Sequence, residues 1–391
     1  MVWGGGASAP ARAHQRDGAE VVAWPGADPA ALVRAGVSAR PAEAVIGDEG
    51  LAAATAAART WTRLWGRLPL VDGRCFRELV SWHDTSLLWL AEGFIRHETA
   101  GPRCAELAEI SLRLLEATDA SEVDVVGLAP PEATLLSRAC IARGVLFHGS
   151  TPKARPIRSA PPGRPAGLRA LGRVLAPGGP PPPPAPATTA GPAEGAPLLL
   201  IAARENDDLP LHPLLEAAAA ELSLPGVIVP AVALVRWETR RARRAAAEAE
   251  GLLRQSWKRL RGAPGLLESY RHRGVGFSDL ADHDLERILI GHLPAAVLRL
   301  EAAMELLSVA RPAVVVLCGS PRDERRALLA ACAIARIPAA VLHPGPIEPE
   351  ELDRDDGGPR AAATFVWEPG SEPGPALARI AEAARARVEP E

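Results

Sequence analysis

Short apolar runs alternate with amphipathic helical segments, and this alternation occurs twice along the chain. The apolar runs lie at residues 19–26, 123–128 and 144–149 in the first half and at 196–206, 312–319 and 339–345 in the second. An amphipathic segment precedes the middle run of each half, at 104–117 and 295–308. Continuous Val-rich strands that alternate with helices are typical of parallel sheets whose two faces are both covered. The pattern therefore predicts an α/β fold with parallel sheets.

One phrase within this pattern is repeated. Residues 135–143 read LLSRACIAR, and residues 328–336 read LLAACAIAR. At an offset of 195 residues the halves also match at polar positions: Asp84 with Asp279, His97 with His292, and His148 with His343. An alanine-rich composition does not readily produce Asp and His matches in one register. We therefore expect an internal duplication that forms two tandem Rossmann-like units.

A proline-rich stretch divides the chain into nearly equal parts. Residues 176–197 read APGGPPPPPAPATTAGPAEGAP. Proline fixes φ and removes a hydrogen-bond donor, so such a stretch is typical of an extended linker. We expect a first Rossmann-like unit over residues 1–165, a Pro/Gly/Ala-rich linker over 166–196 and a second unit over 197–391.

Composition narrows the class of protein. The chain has 391 residues, a net charge of −3 and 48% hydrophobic residues, which predicts two globular domains and no nucleic-acid partner. There is no run of about 18 apolar residues, and the N-terminus lacks the apolar core of a secretory signal. The five cysteines have no metal-binding spacing. We expect buried free thiols, no metal site and a cytoplasmic location.

Candidate site residues follow the predicted strands. In open α/β sheets ligands bind beyond the carboxyl ends of the strands, which places Gly319 and Ser320 in the wall of the default pocket. His343 and His148 each end a predicted strand, where a general base or a sugar or phosphate contact would lie. Simpler explanations stay open, because Ser320 is also a good helix N-cap and a strand-end histidine also packs against the backbone.

A basic segment at residues 236–262 is a second candidate surface. It holds nine Arg and Lys residues against three Glu, and Leu253, Trp257 and Leu260 fall on one helical face. The segment is consistent with an exposed helix whose apolar edge lies on its own domain. It is also consistent with a peripheral contact to anionic lipid at the inner membrane or to a polyanionic glycan.

Residues 270–367 resemble part of the GT-B-type glycosyltransferase-like proteins of bacterial surface-polysaccharide and capsule biosynthesis. The resemblance rests on GVGFSDLADHDLERIL followed by RPAVVVLCGSPRDERRALLAACAIARIPAAVLHPGPI. These runs contain an aromatic residue before DL, then RP before a Val-rich strand, a helix that ends in AR-IP, and a strand that ends in His. Residues 79–149 share the pattern more loosely.

This resemblance implies transfer of a sugar from a nucleotide donor to a glycan or lipid-linked acceptor, with no cofactor beyond the nucleotide-sugar. It maps the family's strand-end His-Gly onto His343, as base or phosphate contact, and onto Gly345. Here Pro344 separates the two, and only 21 residues follow ATFVWEPG, where the family continues into a donor-binding domain. We therefore expect either a degenerate or partial relative of the family, or a partner chain that supplies the donor domain. The alternative is a non-catalytic, two-lobed binding or scaffold protein that keeps the fold without the chemistry.

Overall fold

The structure is a computed structural model that describes residues 2–4, 19–149, 198–203, 220, 226–261, 263–318, 323–343, 363–366 and 378. Its helices are α1 (Pro29–Arg34), α2 (Ala42–Trp65), α3 (Phe76–Leu79), α4 (Leu87–Leu90), α5 (Glu92–Glu98), α6 (Ala100–Thr118), α7 (Pro130–Arg143), α8 (Arg240–Leu260), α9 (Pro264–Ser269), α10 (Ser278–Glu286), α11 (Leu293–Ala310) and α12 (Asp323–Ile334). A 3₁₀ helix spans Ala231–Trp237, and a π-helical stretch spans Arg287–His292. Within these described ranges, no helix is both long and apolar enough to cross a membrane.

The strands of the described residues fall into two larger sheets and three small hairpins. They are β1 (Val2–Trp3), β2 (Val22–Ala23), β3 (Arg40–Pro41), β4 (Pro69–Val71), β5 (Arg74–Cys75), β6 (Ser81–Trp82), β7 (Thr85–Ser86), β8 (Glu122–Val126), β9 (Leu146–His148), β10 (Leu198–Ala203), β11 (Gly226–Pro230), β12 (Arg271–His272), β13 (Val275–Gly276), β14 (Pro312–Cys318), β15 (Ala339–His343) and β16 (Ala363–Val366). The hairpins pair β4 with β5, β6 with β7, and β12 with β13.

The chain packs into two compact units, and each unit contains chain from both halves of the sequence. Unit 1 comprises Met1–Phe76, Ile95–Pro161 and Trp257–Arg287, and unit 2 comprises Arg77–Phe94, Pro162–Ser256 and Ile288–Glu391. Arg77–Phe94 therefore belongs to the unit that is otherwise C-terminal, and Trp257–Arg287 to the unit that is otherwise N-terminal. We call these two stretches the exchanged segments. The predicted linker, residues 166–196, lies outside the described residues.

Unit 1 contains a parallel sheet in the order β3-β2-β1-β8-β9. Its central strand is β1, where Val2 pairs with Val22 on one side and Val125 on the other. The chain builds β2 and β3 towards one edge and later returns to add β8 and β9 at the other. The sequence pattern predicted β2, β8 and β9 but missed β1, because only Val2 and Trp3 pair before three glycines follow.

Unit 2 contains the second parallel sheet, in the order β11-β10-β14-β15-β16. Val314, Val315 and Val316 of β14 are fully buried, as are Ala340 and Leu342 of β15. Such continuous burial is expected for parallel strands covered on both faces. The predicted α/β class with parallel sheets is confirmed, and β10, β14 and β15 lie at the predicted apolar runs.

An aromatic cluster forms part of the core of unit 1. The ring centroid of Trp61 on α2 lies 5.4 Å from that of Tyr270 and 5.8 Å from that of Phe277. The ring centroids of Trp65 and Tyr270 are 5.9 Å apart. The indole N–H of Trp61 donates to the carbonyl of Ser269 at 3.0 Å. Ring pairs of this kind contribute about 0.5–1.5 kcal/mol each beyond the area they bury. The C-terminal exchanged segment is thus part of the core of unit 1.

The two halves repeat backbone landmarks 192 positions apart. Helices α6 and α11 each end at a left-handed residue, Asp119 (φ 46°) and Arg311 (φ 45°). The turns after α7 and α12 also contain left-handed residues, Gly144 (φ 70°) and Arg336 (φ 55°). In both turns the carbonyl of a buried cysteine accepts the closing backbone hydrogen bond: Cys140 from Val145, and Cys332 from Ile337.

This spacing corrects the alignment drawn from the sequence. At 192 positions His148 corresponds to Ala340, so the predicted equivalence of His148 and His343 is wrong. The pairing of the strands agrees with this spacing. Val123 pairs with Phe147 in unit 1, and the residues 192 positions later, Val315 and Ala339, pair with each other in unit 2. The backbone hydrogen bonds set the register, whereas alanine-rich helices look alike when they are shifted by a few residues.

The basic segment forms α8, and its predicted helical face is confirmed. Leu253, Trp257 and Leu260 are buried, together with Ala242 and Ala249 on the same side. The opposite side is exposed and basic through Arg240, Arg241, Arg243, Arg244, Arg254, Lys258 and Arg259.

Three of the cysteines are buried free thiols, as predicted: Cys104, Cys140 and Cys332. Burial raises the pKa of Cys140 to about 11 and that of Cys332 to about 12. These side chains therefore stay protonated and behave as small apolar core residues.

Candidate functional site

The candidate site is the carboxyl edge of the second sheet. Strands β10 and β14 are neighbours, but the chain leaves β10 for β11 on one side and reaches β14 and β15 on the other. Ala202 pairs with Leu317, so the last residues of the two strands, Ala203 and Cys318, end level. Where connections diverge in this way, a crevice forms outside the strand ends, and α/β proteins bind ligands there.

The backbone of His343 lies at this edge. His343 is the last residue of β15 and pairs with Val366 of β16. Cys318 pairs with Leu342, so β14 and β15 end within one residue of each other. The described part of the chain includes neither the side chain of His343 nor three other predicted site residues: Gly319, Ser320 and Gly345. Their roles stay predictions.

His148 lies on the other sheet, at the end of its outermost strand, β9. Half of its side chain is exposed (51%), and its Nε2 atom is 3.5 Å from Oε2 of the exposed Glu122. Exposed pairs of this kind contribute little to stability. His148 and His343 belong to different units, so they do not share one sheet edge.

Two charged side chains meet beside the candidate edge. Arg299, in the second turn of α11, places Nε 3.6 Å from Oε1 of Glu324. Glu324 is the second residue of α12, the helix that follows the carboxyl end of β14. The carboxylate of Glu324 therefore lies near the positive end of the α12 dipole. Among the described ion pairs, Arg299 is the cation closest to Glu324.

A carboxylate that the sequence analysis did not single out lies beside the same helices. Glu238 follows the 3₁₀ helix Ala231–Trp237, which leads from β11 to α8 and packs against α11 and α12. Burial raises the pKa of Glu238, although the positive charges of Arg243 and Arg299 oppose that rise. Within the described residues, no hydrogen bond reaches the Glu238 carboxylate.

This arrangement can take a proton and bind an anion. A carboxylate whose pKa is raised by desolvation is a better general base than an exposed one, and such groups concentrate at functional sites. Arg299 and Arg243 supply guanidinium groups, which suit phosphate oxygens. In the sequence, Glu238 is one acid within the Arg-rich stretch RWETRRARR, and nothing there reveals its burial.

At the corresponding edge of the first sheet, described backbone groups approach one another closely. The N–H of Gly4, just after β1, donates to the carbonyl of Val126 at 2.8 Å, and a Cβ at Gly4 would lie 2.8 Å from the carbonyl oxygen of Gly127. At the start of α7, the Glu132 carboxylate accepts from the N–H of Ala129 at 3.3 Å. Among the described residues, the Glu132 carboxylate thus lies at the positive end of the α7 dipole, where an anion is favoured.

Comparisons with protein-family models, with curated proteins and with solved structures each found no match.

Proposed function

We propose that the protein is a glycosyltransferase-like protein of surface carbohydrate biosynthesis, built from two tandem Rossmann-like units. The observation that carries this proposal is the divergence of β10 and β14 at the carboxyl edge of the second sheet. The elements that follow β11 and β14 bring a carboxylate of raised pKa, Glu238, and an ion pair between Arg299 and Glu324. Numbered by order in the chain, the strands of this sheet run 2-1-3-4-5, which is a common doubly wound order, and those of the first sheet run 3-2-1-4-5.

In this proposal the second unit binds a nucleotide-sugar at that edge. His343, at the end of β15, contacts the donor phosphate, and Gly319, Ser320 and Gly345 line the pocket. Arg299 neutralises charge on the leaving phosphate. No cofactor beyond the nucleotide-sugar is needed, and a partner chain supplies further donor-binding surface.

The chemical step is a direct displacement at the anomeric carbon. Glu238 accepts the proton of the acceptor hydroxyl, and the hydroxyl oxygen forms a new bond to the anomeric carbon. The bond from that carbon to the donor phosphate oxygen breaks, and the nucleotide leaves with the bonding electrons. The raised pKa of Glu238 supports this role, because a base with a pKa closer to neutrality transfers protons more effectively at neutral pH.

The test is a binding and turnover screen of the purified protein against UDP-, GDP-, CDP- and CMP-sugars. We expect Glu238→Gln to keep donor affinity within about twofold and to lose about 10²–10⁴ in transfer rate. His343→Ala should weaken donor binding by about tenfold or more. Glu248→Gln, an exposed position on the same helix as Arg243, is the matched control and should leave both unchanged. Absence of binding to every donor, in protein shown to be folded, would rule out the transferase.

A non-catalytic, two-lobed binding or scaffold protein is the second candidate. The described part of the first sheet's edge supports it, because there the Glu132 carboxylate caps the start of α7 and the backbone of Gly4 approaches that of Gly127. Glycan binding without any nucleotide-sugar binding in the same screen would support this candidate over the first.

We also propose a cytoplasmic location with peripheral contact at the inner membrane through residues 236–262. The apolar face of α8 is buried, so only its basic face is available, and each cation near an anionic surface contributes about 1 kcal/mol. Co-sedimentation with anionic but not neutral vesicles is expected. Equal sedimentation with both would contradict the proposal.

A further inference from the structure

We propose that the two halves of this chain, residues 1–165 and 197–391, are obligate binding partners, held together by the exchanged segments and not by the linker. Each compact unit takes one stretch from the opposite half: Arg77–Phe94 in unit 2 and Trp257–Arg287 in unit 1. A half on its own would therefore lack part of the core that it builds.

In unit 1, the C-terminal exchanged segment is held by charge-assisted hydrogen bonds. Both terminal nitrogens of Arg138 on α7 bind the carboxylate of Asp279 at 2.8 Å, and one of them also donates to the carbonyl of Gly276 at 2.7 Å. The buried Asp284 accepts from the backbone N–H of Ala100, the first residue of α6. Bidentate arginine–carboxylate contacts are among the stronger and more specific hydrogen bonds in proteins.

In unit 2, the N-terminal exchanged segment is held in the corresponding way. Arg326 of α12 donates to Glu92 at 2.7 Å and to the carbonyl of Trp89, and its guanidinium lies 5.2 Å from the Trp89 ring centroid. Glu301 of α11 accepts from Trp82 at 2.9 Å. In each unit, a hairpin and the helix after it, both from one half of the chain, therefore pack against two long helices of the other half.

This reciprocity is the pattern of a swapped dimer. When two identical copies exchange one segment, each copy gives the same segment and receives the same segment. Here the two copies are the duplicated halves of one chain, with hairpins 190 positions apart and long helices 192 positions apart. The partner that each half requires is therefore another half of the same fold, which supplies a β-hairpin followed by a short helix.

The experiment cuts the chain at its linker. A site for a sequence-specific protease is inserted after Gly179 of the full-length protein, and the folded protein is cleaved in native buffer. We expect the two fragments to co-elute at the mass of the uncut chain with an unchanged far-UV circular dichroism spectrum. Elution as two separate folded species would overturn the proposal, and so would co-elution as an aggregate that has lost the helical signal.

Variants of the cut protein identify which contacts hold the fragments together. Arg138→Ala should raise the dissociation constant of the fragments by about tenfold or more, because hydrogen bonds to a charged group are lost. Arg254→Ala is the matched control: Arg254 pairs with Glu250 at 2.6 Å within one half, so the fragment affinity should change less than about twofold. Equal effects of the two substitutions would contradict the assignment of the association to the exchanged segments.

Discussion

A buried glutamate lies at the same place in both units, but its hydrogen-bond donors differ. Glu109 on α6 and Glu301 on α11 are 192 positions apart, and each has only 5% of its side chain exposed. Both accept hydrogen bonds from the turn of an exchanged hairpin. The donors are His272 and Arg273 in unit 1, at 2.8 and 3.0 Å, and Trp82 and His83 in unit 2, at 2.9 and 2.7 Å.

The difference shows which features the two units share and which they do not. The backbone is the same, because His83 and Arg273 both have a φ of 46° in the turn of their hairpin. The charge is not the same, because Glu109 faces the permanent cation Arg273 and also accepts from Arg113 at 2.8 Å. Glu301 instead faces a neutral indole and an imidazole that is charged only when protonated.

The largest expected effect comes from removing the two carboxylates. Glu109→Ala should lower the free energy of unfolding by about 2–4 kcal/mol, because two guanidinium groups and an imidazole lose the acceptor they share, while Arg273 keeps its contact with Glu116. Glu301→Ala should cost about 1–3 kcal/mol, since only an indole N–H and an imidazole lose an acceptor. Urea unfolding followed by circular dichroism measures both. A loss at Glu301 that equals or exceeds the loss at Glu109 would contradict the explanation by charge.

Acid should destabilise unit 1 through Glu109. Burial alone would raise the pKa of Glu109, but hydrogen bonds from His272, Arg113 and Arg273 outweigh it and lower the pKa from 4.5 to about 2. A carboxyl whose folded pKa lies below its unfolded pKa stabilises the protein above the unfolded pKa, and that contribution is lost as the pH falls from about 4.5 to 2. The loss is about 3 kcal/mol.

The variant Glu109→Gln isolates this contribution. Its free energy of unfolding should fall less between pH 5 and pH 3 than that of the wild type, because the titrating group is absent. Glu106→Gln on the same helix controls for the loss of one carboxylate. Parallel pH profiles for the wild type and Glu109→Gln would show that Glu109 is not the group responsible.

A smaller effect is expected when the β12–β13 turn of unit 1 is given the residue type of the β6–β7 turn of unit 2. Arg273→His places in unit 1 the residue type found at the equivalent position, His83. We expect a loss of about 1–2 kcal/mol at pH 8, where imidazole is neutral, and a smaller loss at pH 5.5, where it is charged. Equal losses at both pH values, measured by urea unfolding, would mean that the shape of the side chain matters here and its charge does not.

The strands of the fold were predictable where they are continuous apolar runs. Strands β10, β14 and β15 fall within predicted segments, and β8 overlaps one, because central parallel strands need apolar residues on both faces. The exchange between the halves was not predictable. A segment that packs on its own half and one that packs on the other half bury the same residues, so their apolar patterns are identical.

The candidate site was predictable only at its backbone. The position of His343 at a strand end follows from the apolar run before it. The burial of Glu238 does not, because it depends on α11 and α12, which lie more than 50 residues further along the chain. Within the sequence, neighbouring arginines make Glu238 look like an exposed member of a basic segment.

The exchanged aromatic residues also determine when unit 1 is able to fold during protein synthesis. Trp61 and Trp65 pack on Tyr270 and Phe277, which the ribosome adds roughly 200 residues later. At roughly 5–20 residues per second, that interval is about 10–40 s. Throughout it, the nascent N-terminal half exposes an apolar surface that its own residues do not cover. The order of translation therefore delays completion of the first core until most of the chain has been made, and chaperones have a defined period in which to bind it.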